Sequence, residues 1–212
     1  MIARGNYRQV VLERVEDFEQ YCDLVKEYQH KYSVEVMSYC LMNNHVHFIL
    51  VPKEKSGLPR FFNTMQMRYS QYKNGKTHKK GHLWQGRYFS SLVQDDEYLL
   101  RVIRYVEQNP VRAQMVDKAW DYVWSSARTH VGIDKDPIIK TVGYKKILDQ
   151  LSKKTTWREY LTGEDPTVNE AIRTSTYKGY IIGSDDFAEQ MEKETGIRLR
   201  PGKSGRPKKI GS

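Results

Sequence analysis

Residues 33–52 carry a pattern typical of two adjacent strands. Two short apolar runs, Ser33–Leu41 and His45–Val51, are rich in the β-branched and aromatic residues that favour strands. The Asn-rich link Met42-Asn43-Asn44 joins the runs, and Pro52 closes the second one. Apolar strands with a short polar link between them are typical of a β-hairpin, so the pattern predicts two antiparallel strands here.

Two segments beside this hairpin have apolar residues at helical spacing. They are Asp17–Tyr32, with Asp17 as the predicted N-cap, and a helix that opens at Pro59 and ends at Asn74-Gly75. Further short strands are predicted within residues 2–12 and 83–93. The order strand, helix, strand, strand, helix, strand predicts an α+β fold, a ferredoxin-like antiparallel sheet with packed helices and a βαββαβ core. RNA-recognition modules share this order, so the fold does not decide the function.

Charge and composition narrow the class of partner. The 212 residues include 35 Lys and Arg against 26 Asp and Glu, and the net charge of +9 predicts a polyanionic partner, most often nucleic acid. No apolar run approaches the ~18 residues of a membrane span, and the N-terminus has no apolar signal region. We therefore expect a cytoplasmic protein without a membrane partner. Cys22 and Cys40 lack CxxC spacing, and we expect unpaired thiols.

His45 and His47 are the first candidates for chemistry. Side chains of a strand alternate between its two faces, so both imidazoles share the face of Ile49, opposite Val46 and Phe48. Two imidazoles one repeat apart on a strand can bind a divalent metal ion. The alternative is a pair of ordinary half-exposed strand histidines, because a single short motif has many chance matches.

A helix predicted to start at Asp95 or Asp96 carries the second candidate set. Its buried stripe consists of four aliphatic residues, Leu99, Val102, Ile103 and Val106. At about 100° per residue, Tyr105 and Asn109 lie about 40° apart on one flank of that stripe, and Pro110 is predicted to end the helix. If the helix packs over the histidine face, Asn109 can be a third metal ligand and Tyr105 faces the metal. The alternative for Tyr105 is simple packing.

Four segments resemble the REP-associated tyrosine transposases, which belong to the single-tyrosine, His-hydrophobic-His superfamily of insertion-sequence transposases. Arg104–Ala113 resembles the tyrosine-helix motif of that family, and Met42–His47 resembles its metal motif. Arg4–Gln9 and Leu83–Phe89 resemble further family segments. The resemblance runs in the right order over about residues 2–130, and the combined pattern is more specific than any one segment.

The resemblance implies an enzyme, a tyrosine transposase that cleaves and transfers DNA strands. It implies that His45 and His47 bind a divalent ion, Mg or Mn, with Asn109 in the third-ligand position. It implies that Tyr105 attacks a phosphodiester of single-stranded DNA, becomes joined to the 5′-phosphate and releases a 3′-hydroxyl. Relatives act on hairpins of short palindromic repeats, often as dimers, so single-stranded or hairpin DNA and a second copy of the chain are the implied partners.

Basic residues in these segments and in two Lys/Arg-rich stretches are the candidate DNA contacts. The stretches are residues 73–82, predicted to be a loop, and the tail 198–212, predicted to be disordered by itself. Gly205-Arg206-Pro207 resembles the core of minor-groove AT-hooks, and a nonspecific basic tail is the alternative. The candidates are Arg4, Arg8, Lys73, Lys76, Lys79, Lys80, Arg87, Arg112, Arg206, Lys208 and Lys209.

These observations divide the chain into a catalytic domain (1–130), a helical region (131–197) and the basic tail (198–212). The helical region is either a DNA-binding unit or a set of packing helices, predicted at Tyr144–Leu151, Thr156–Leu161, Thr167–Thr176 and Ser184–Glu194. The leading function is a metal-dependent, tyrosine-nucleophile DNA strand transferase. Its rivals are a noncatalytic nucleic-acid-binding module on the same sheet and a replication-initiation nickase. The Asn-Pro-Val-Arg-Ala context at residues 109–113 favours the transposase over the nickase.

Overall fold

The computed structural model describes residues 1–78, 80–94, 97–139 and 155–202. Within these ranges the sheet has three antiparallel strands in the order β1-β3-β2, namely β1 (Ile2–Arg4), β2 (Val34–Met42) and β3 (His45–Pro52). The predicted hairpin is confirmed, since β2 pairs with β3 and Met42 lies opposite His45. β1 runs along the other side of β3 and places Arg4 opposite His45.

The helices of the described ranges agree with the predicted α+β class. In chain order they are α1 (Val15–Lys31), α2 (Gly57–Thr77), α3 (Glu97–Glu107), α4 (Asn109–Arg112), α5 (Ala127–His130), α6 (Trp157–Thr162), α7 (Pro166–Lys178) and α8 (Asp185–Thr195). Single 3-10 turns lie at Asn6–Arg8 and Ala119–Asp121. The helices predicted within residues 156–194 are confirmed, whereas the one predicted at Tyr144–Leu151 falls outside the described residues.

The fourth strand of the predicted core is reduced, in the described residues, to isolated bridges. They are Ile2–Phe89, Gly5–Trp84 and Val93–Ile182. Ile2 and Phe89 exchange two backbone hydrogen bonds of 2.8 Å, which puts this segment beside β1, at the edge where the fold requires its last strand. Gly86, at φ 65°, turns the backbone out of the extended conformation and interrupts the ladder.

The sheet separates two hydrophobic cores, and successive side chains of β3 enter them alternately. Val46 and Phe48 enter the core under α1 and α2, whereas Ile49 enters the core under α3, α6 and α7. His45 and His47 share the face of Ile49 and therefore face α3. Cys22 and Cys40 are buried and free, as predicted. In the described part of the chain, no helix is both long and apolar enough to cross a membrane.

Asp17 has a different role from the predicted N-cap of α1. It lies in the first turn of the helix, where its Oδ2 accepts hydrogen bonds from the backbone N–H groups of Glu13 (3.1 Å) and Arg14 (3.2 Å). A carboxylate in the first turn satisfies N–H groups that the helix itself leaves unpaired. The predicted N-cap was therefore wrong by three residues, because the acid reaches backwards to cap the helix from inside it.

The end of α2 also differs from the prediction, because the same carboxylate holds it. Lys73 Nζ donates to Asp17 Oδ2 at 2.6 Å, and Lys76 Nζ donates to Asp17 Oδ1 at 3.1 Å. These two bonds fasten the last turns of α2 to the start of α1. The helix therefore continues through Asn74-Gly75 and ends at Thr77, so the predicted loop does not begin at residue 73.

Candidate active site

β3 places His45 and His47 side by side, with ring centroids 4.8 Å apart. His45 Nδ1 lies 2.6 Å from Asn44 Oδ1, and since an amide oxygen only accepts, this ring nitrogen carries the proton. The other ring nitrogen, Nε2, is then left as the free donor atom for a metal. His47 is 3% exposed, and its Nε2 is a buried atom that has no hydrogen-bond partner among the described residues.

Both imidazoles are neutral at neutral pH. Burial, reinforced by the nearby charge of Arg4, lowers the pKa of His45 to about 4. Burial also lowers the pKa of His47 well below its ordinary value, and the neighbouring His45 acts in the same direction. Neutral imidazole is the form that binds metal ions, so the two rings suit a divalent cation better than they suit a phosphate.

α3 directs Tyr105 at this pair. The rings of Tyr105 and His47 meet edge-on, with centroids 6.0 Å apart, and Tyr105 is 7% exposed. Burial raises the pKa of the Tyr105 hydroxyl, and the guanidinium groups of Arg112, Arg173 and Arg4 oppose that rise. Tyr105 is therefore a protonated phenol in the resting protein, in a setting where added positive charge would favour its ionisation.

Arg112 packs directly on Tyr105. Its guanidinium carbon lies 4.4 Å from the centroid of the tyrosine ring, and its Nη2 donates to the Tyr105 carbonyl at 2.5 Å. The second terminal nitrogen, Nη1, is buried, and no residue in the described part of the chain accepts a hydrogen bond from it. A buried N–H of a cation without an acceptor is costly, and an anionic oxygen is its best partner.

Asn109 lies in a separate turn from Tyr105, contrary to the prediction that one helix carries both and ends at Pro110. α3 ends at Glu107, and α4 begins at Asn109 with Pro110 in its first turn. Pro110 has no N–H to give to the Val106 carbonyl, and Asn109 Nδ2 donates there instead, at 3.0 Å, and also to the Tyr105 carbonyl at 3.0 Å. Two carbonyl partners fix the orientation of the amide, so its oxygen faces away from them.

The donor set at this site fits a metal with few protein ligands. Among residues 1–78, 80–94, 97–139 and 155–202 there is no group of three or more His, Cys, Asp or Glu side chains that could hold a metal ion. A cation here would depend on His45 and His47 together with oxygen from an amide, water or substrate, a mixed set that suits several divalent metals. The buried, unpartnered Nε2 of His47 fits this role, and the third-ligand role of Asn109 stays a prediction.

α7 closes the site beside β1. Arg4, which lies opposite His45 in the sheet, donates a hydrogen bond to the Tyr177 hydroxyl, and its guanidinium carbon lies 4.9 Å from the Tyr177 ring centroid. Tyr177 also packs edge-on against Phe89, with centroids 4.9 Å apart. Arg173 lies on the same helix, one turn before Tyr177. The sequence predicted the helix but not these partners, because helical periodicity shows which face is buried and not what covers it.

The predicted DNA contacts fall into separate groups. Arg4 and Arg112 lie at the Tyr105 site, whereas Arg8, Lys80 and Arg87 are exposed. Lys73 is buried in its ion pair with Asp17, which corrects its placement on a DNA surface, and Lys76 shares the same carboxylate. Four candidates lie outside the described residues, namely Lys79, Arg206, Lys208 and Lys209.

Comparison with known proteins shows what the chain is similar to. A family model described as Transposase IS200 like matches residues 1–109, a range that includes His45, His47 and Tyr105. A Haemophilus influenzae protein named as a REP-associated tyrosine transposase is 24% identical over 105 residues, which cover 45% of this chain and 60% of that relative.

A solved structure, that of a REP-associated tyrosine transposase bound to a REP hairpin, matches with a TM-score of 0.49 and 13% identity over 66% of this chain and 88% of that one. The present chain thus spans about 60% of the length of the curated relative. The resemblance found in the sequence motifs is confirmed by the family match, which covers half of the chain. The chain belongs to the IS200-like transposase family.

Proposed function

We propose that the protein is a metal-dependent endonuclease and strand transferase that acts on single-stranded DNA through a 5′-phosphotyrosine link to Tyr105. The observation that supports this most is the meeting of three unlike groups at one buried point. The Tyr105 phenol supplies the nucleophile. The unpartnered Nε2 of His47 supplies a metal ligand, and the unpartnered Nη1 of Arg112 supplies an N–H that can bind an anion.

In this proposal the histidines bind the metal ion and the arginines bind the phosphate. His45 and His47 would hold a divalent ion, Mg or Mn, with the amide oxygen of Asn109 as the proposed third ligand. When bound, the ion supplies positive charge that polarises a phosphodiester and eases ionisation of a nearby hydroxyl. Arg112 Nη1 offers its free N–H to a phosphate oxygen, and Arg4 adds a second guanidinium at the same end of the sheet.

The proposed step is a transesterification that conserves the number of bonds. The Tyr105 oxygen forms a bond to phosphorus while the bond from phosphorus to the 3′-oxygen breaks. The phenolic proton leaves Tyr105 and, by way of solvent, ends on the departing 3′-oxygen as a 3′-hydroxyl. The 5′-phosphate stays on Tyr105, and attack by another 3′-hydroxyl reverses the step and joins two strands without an external energy source.

The proposed substrate is a DNA hairpin of a repeated palindromic element, because the name of the curated relative associates that protein with REP elements. The net charge of +9 fits any DNA and does not select the hairpin. A homodimer is a further proposal, which rests on the family resemblance alone.

Incubation with a labelled single-stranded hairpin and Mn tests the proposal, with a denaturation-resistant protein–DNA adduct as the readout. The wild type is expected to form the adduct, and Tyr105→Phe is expected to bind the DNA and form none. Tyr98→Phe, on the same helix, is the matched control and should retain the adduct. DNA binding without any adduct from the wild type would reject the enzyme in favour of a noncatalytic binding module. An adduct that persists in Tyr105→Phe would reject the assigned nucleophile.

A further inference from the structure

Glu107 is a fully buried carboxylate at the junction of α3, β2 and α6. Its Oε1 accepts hydrogen bonds from the hydroxyls of Ser126 (2.6 Å) and Ser38 (3.4 Å), and contacts the His130 ring nitrogen Nδ1. Its Oε2 accepts from Trp157 Nε1 at 3.1 Å. The Glu107 carboxylate at the end of α3 thus bonds to partners from β2, from residues 126–130 and from α6.

Two residues near Glu107, namely Arg104 on α3 and Gln108 directly after it, also contact the end of α6. Gln108 Nε2 donates to the carbonyls of Leu161 (2.7 Å) and Gly163 (2.9 Å), at the end of α6. The Arg104 guanidinium carbon lies 4.5 Å from the centroid of the Tyr160 ring, which is also on α6. Arg104 and Glu107 are three positions apart and share one surface of α3, and Gln108 directly follows the last residue of that helix, so the three residues fix the end of α3 to α6.

These bonds fix the position of α3 in a way that apolar packing does not. An aliphatic stripe tolerates small rotations and shifts, because hydrophobic contacts have little directionality. A buried carboxylate with several donors tolerates neither, because displacement leaves a buried charge without its partners. Tyr105 precedes Glu107 by two residues on the same short helix, so the network that fixes Glu107 also fixes Tyr105 relative to His47.

We propose that Glu107 is a positioning residue for Tyr105, and that α6, which lies beyond residues 1–109, is the part of the chain that makes this positioning possible. The inference rests on the function proposed above. The partners of Glu107 are Ser38, Ser126, His130 and Trp157, which are not among the residues proposed to bind metal or phosphate. Its effect is on the geometry of attack, and it leaves the affinity for DNA and for Mn unchanged.

The expected effect is large on rate and small on binding. A misplacement of about 1 Å at a reacting group can cost on the order of 100-fold in rate. We therefore expect Glu107→Gln, which keeps the size of the side chain and removes its charge, to slow single-turnover adduct formation about 10- to 100-fold at saturating DNA. The DNA concentration for half-saturation should change less than about 2-fold, since no binding group is altered.

The matched control is Glu97→Gln, which removes an exposed carboxylate from the same helix, where Glu97 pairs with Arg101. It should leave the rate unchanged. Trp157→Phe removes one donor to Glu107 and leaves the carboxylate in place, so it serves if Glu107→Gln does not fold. It should lower the rate at saturating DNA in the same way but by less. All rates are compared per folded molecule, well below the midpoint of thermal unfolding.

The outcomes separate this inference from the proposed function. No adduct from the wild type rejects the proposed function. If the wild type forms the adduct and both Glu107→Gln and Trp157→Phe form it at the same rate, the positioning role is rejected and the proposed function stands. A rate deficit that disappears when corrected for the folded fraction assigns Glu107 to stability alone and also overturns the inference.

Discussion

Arg112 contacts Tyr105 in two ways across one turn and a break in the helix. Its Nη2 donates to the Tyr105 carbonyl at 2.5 Å, while its guanidinium carbon lies 4.4 Å from the centroid of the tyrosine ring. The carbonyl bond fixes the backbone at the end of α3, and the cation–ring contact fixes the side chain. A planar guanidinium can do both and still have an N–H free for phosphate.

Arg112→Lys tests whether this arrangement serves catalysis. An ammonium has the same charge but cannot bond the carbonyl, cover the ring and donate to phosphate from a fixed plane. Loss of one preorganised donor typically costs about 100-fold in rate, so we expect a decrease of that order in adduct formation with DNA affinity nearly retained. Arg101→Lys, at a half-buried arginine on α3 that pairs with Glu97, is the control. Equal rates for Arg112→Lys and the wild type would remove Arg112 from the site.

His45→Ala and His47→Ala test the metal site. Each removes one of the two proposed imidazole ligands. Since even outer-shell partners of metal ligands are worth about 10- to 100-fold in affinity, at least that loss is expected in Mn titration by calorimetry. A chelator should prevent the adduct in the wild type. His82→Ala, an exposed histidine, should behave as the wild type. Unchanged Mn affinity in both strand variants would contradict the assignment.

Asp17→Asn tests the buried ion pair between α1 and α2. The change leaves the buried Lys73 with the exposed Glu13 carboxylate, 3.7 Å from its Nζ, as its remaining counter-charge in the described residues. Breaking a buried ion pair typically costs about 3–5 kcal/mol in the free energy of unfolding. Asp23→Asn, from the exposed pair with Lys26, should cost less than about 1 kcal/mol. Urea denaturation at pH 7 measures both, and equal losses would mean that burial adds nothing to the Asp17 pair.

The same residue predicts a pH dependence. Burial by itself would raise the pKa of Asp17, but the bonds from Lys73, Lys76 and two backbone N–H groups outweigh it and hold the pKa below its ordinary value. The stabilisation is therefore complete above the unfolded pKa of about 4 and is lost as pH falls through the lower folded pKa. Between pH 5 and pH 2 the wild type should lose more unfolding free energy than Asp17→Asn. Parallel curves would be inconsistent with a lowered pKa.

The salt dependence of DNA binding tests the tail. Leu199 and Arg200 are held by Glu192, at 2.7 Å each, so charge removal is best confined to residues 203–212. Four basic residues lie there, Lys203, Arg206, Lys208 and Lys209. Their replacement by Gln should flatten the slope of log K against log salt by about 3, at roughly 0.7–0.9 per phosphate contact, and leave the adduct intact at low salt. An unchanged slope would make the tail a spectator.

Local patterns predicted the parts of the site that local physics determines. The two-residue period of a strand put His45 and His47 on one face, and the helical period put Tyr105 on the flank of a buried stripe. Asn109 was placed on the same helix by extrapolation of that period. The structure instead has a break at Gln108, because Pro110 cannot continue the hydrogen bonding and the Asn109 amide replaces it.

Long-range partners carried no local signal. Glu107 and Trp157 are 50 residues apart, and Arg4 and Tyr177 are 173 residues apart. A buried glutamate beside an aliphatic stripe resembles an ordinary edge residue until its partners are known. The sequence around Lys73 likewise fitted a basic surface loop. Only the fold shows that Lys73 forms a buried ion pair with Asp17.

Because the contact between Arg4 and Tyr177 closes the site, the site is completed late in the synthesis and folding of the chain. Translation proceeds at about 5–20 residues per second, so Tyr105, His45 and His47 leave the ribosome seconds before α7 does. The pairing of two residues 173 positions apart must also wait for closure of a long loop, which gives the fold contacts of high sequence separation. A nascent chain therefore carries Tyr105, the proposed nucleophile, before it carries the helix that closes the site beside β1.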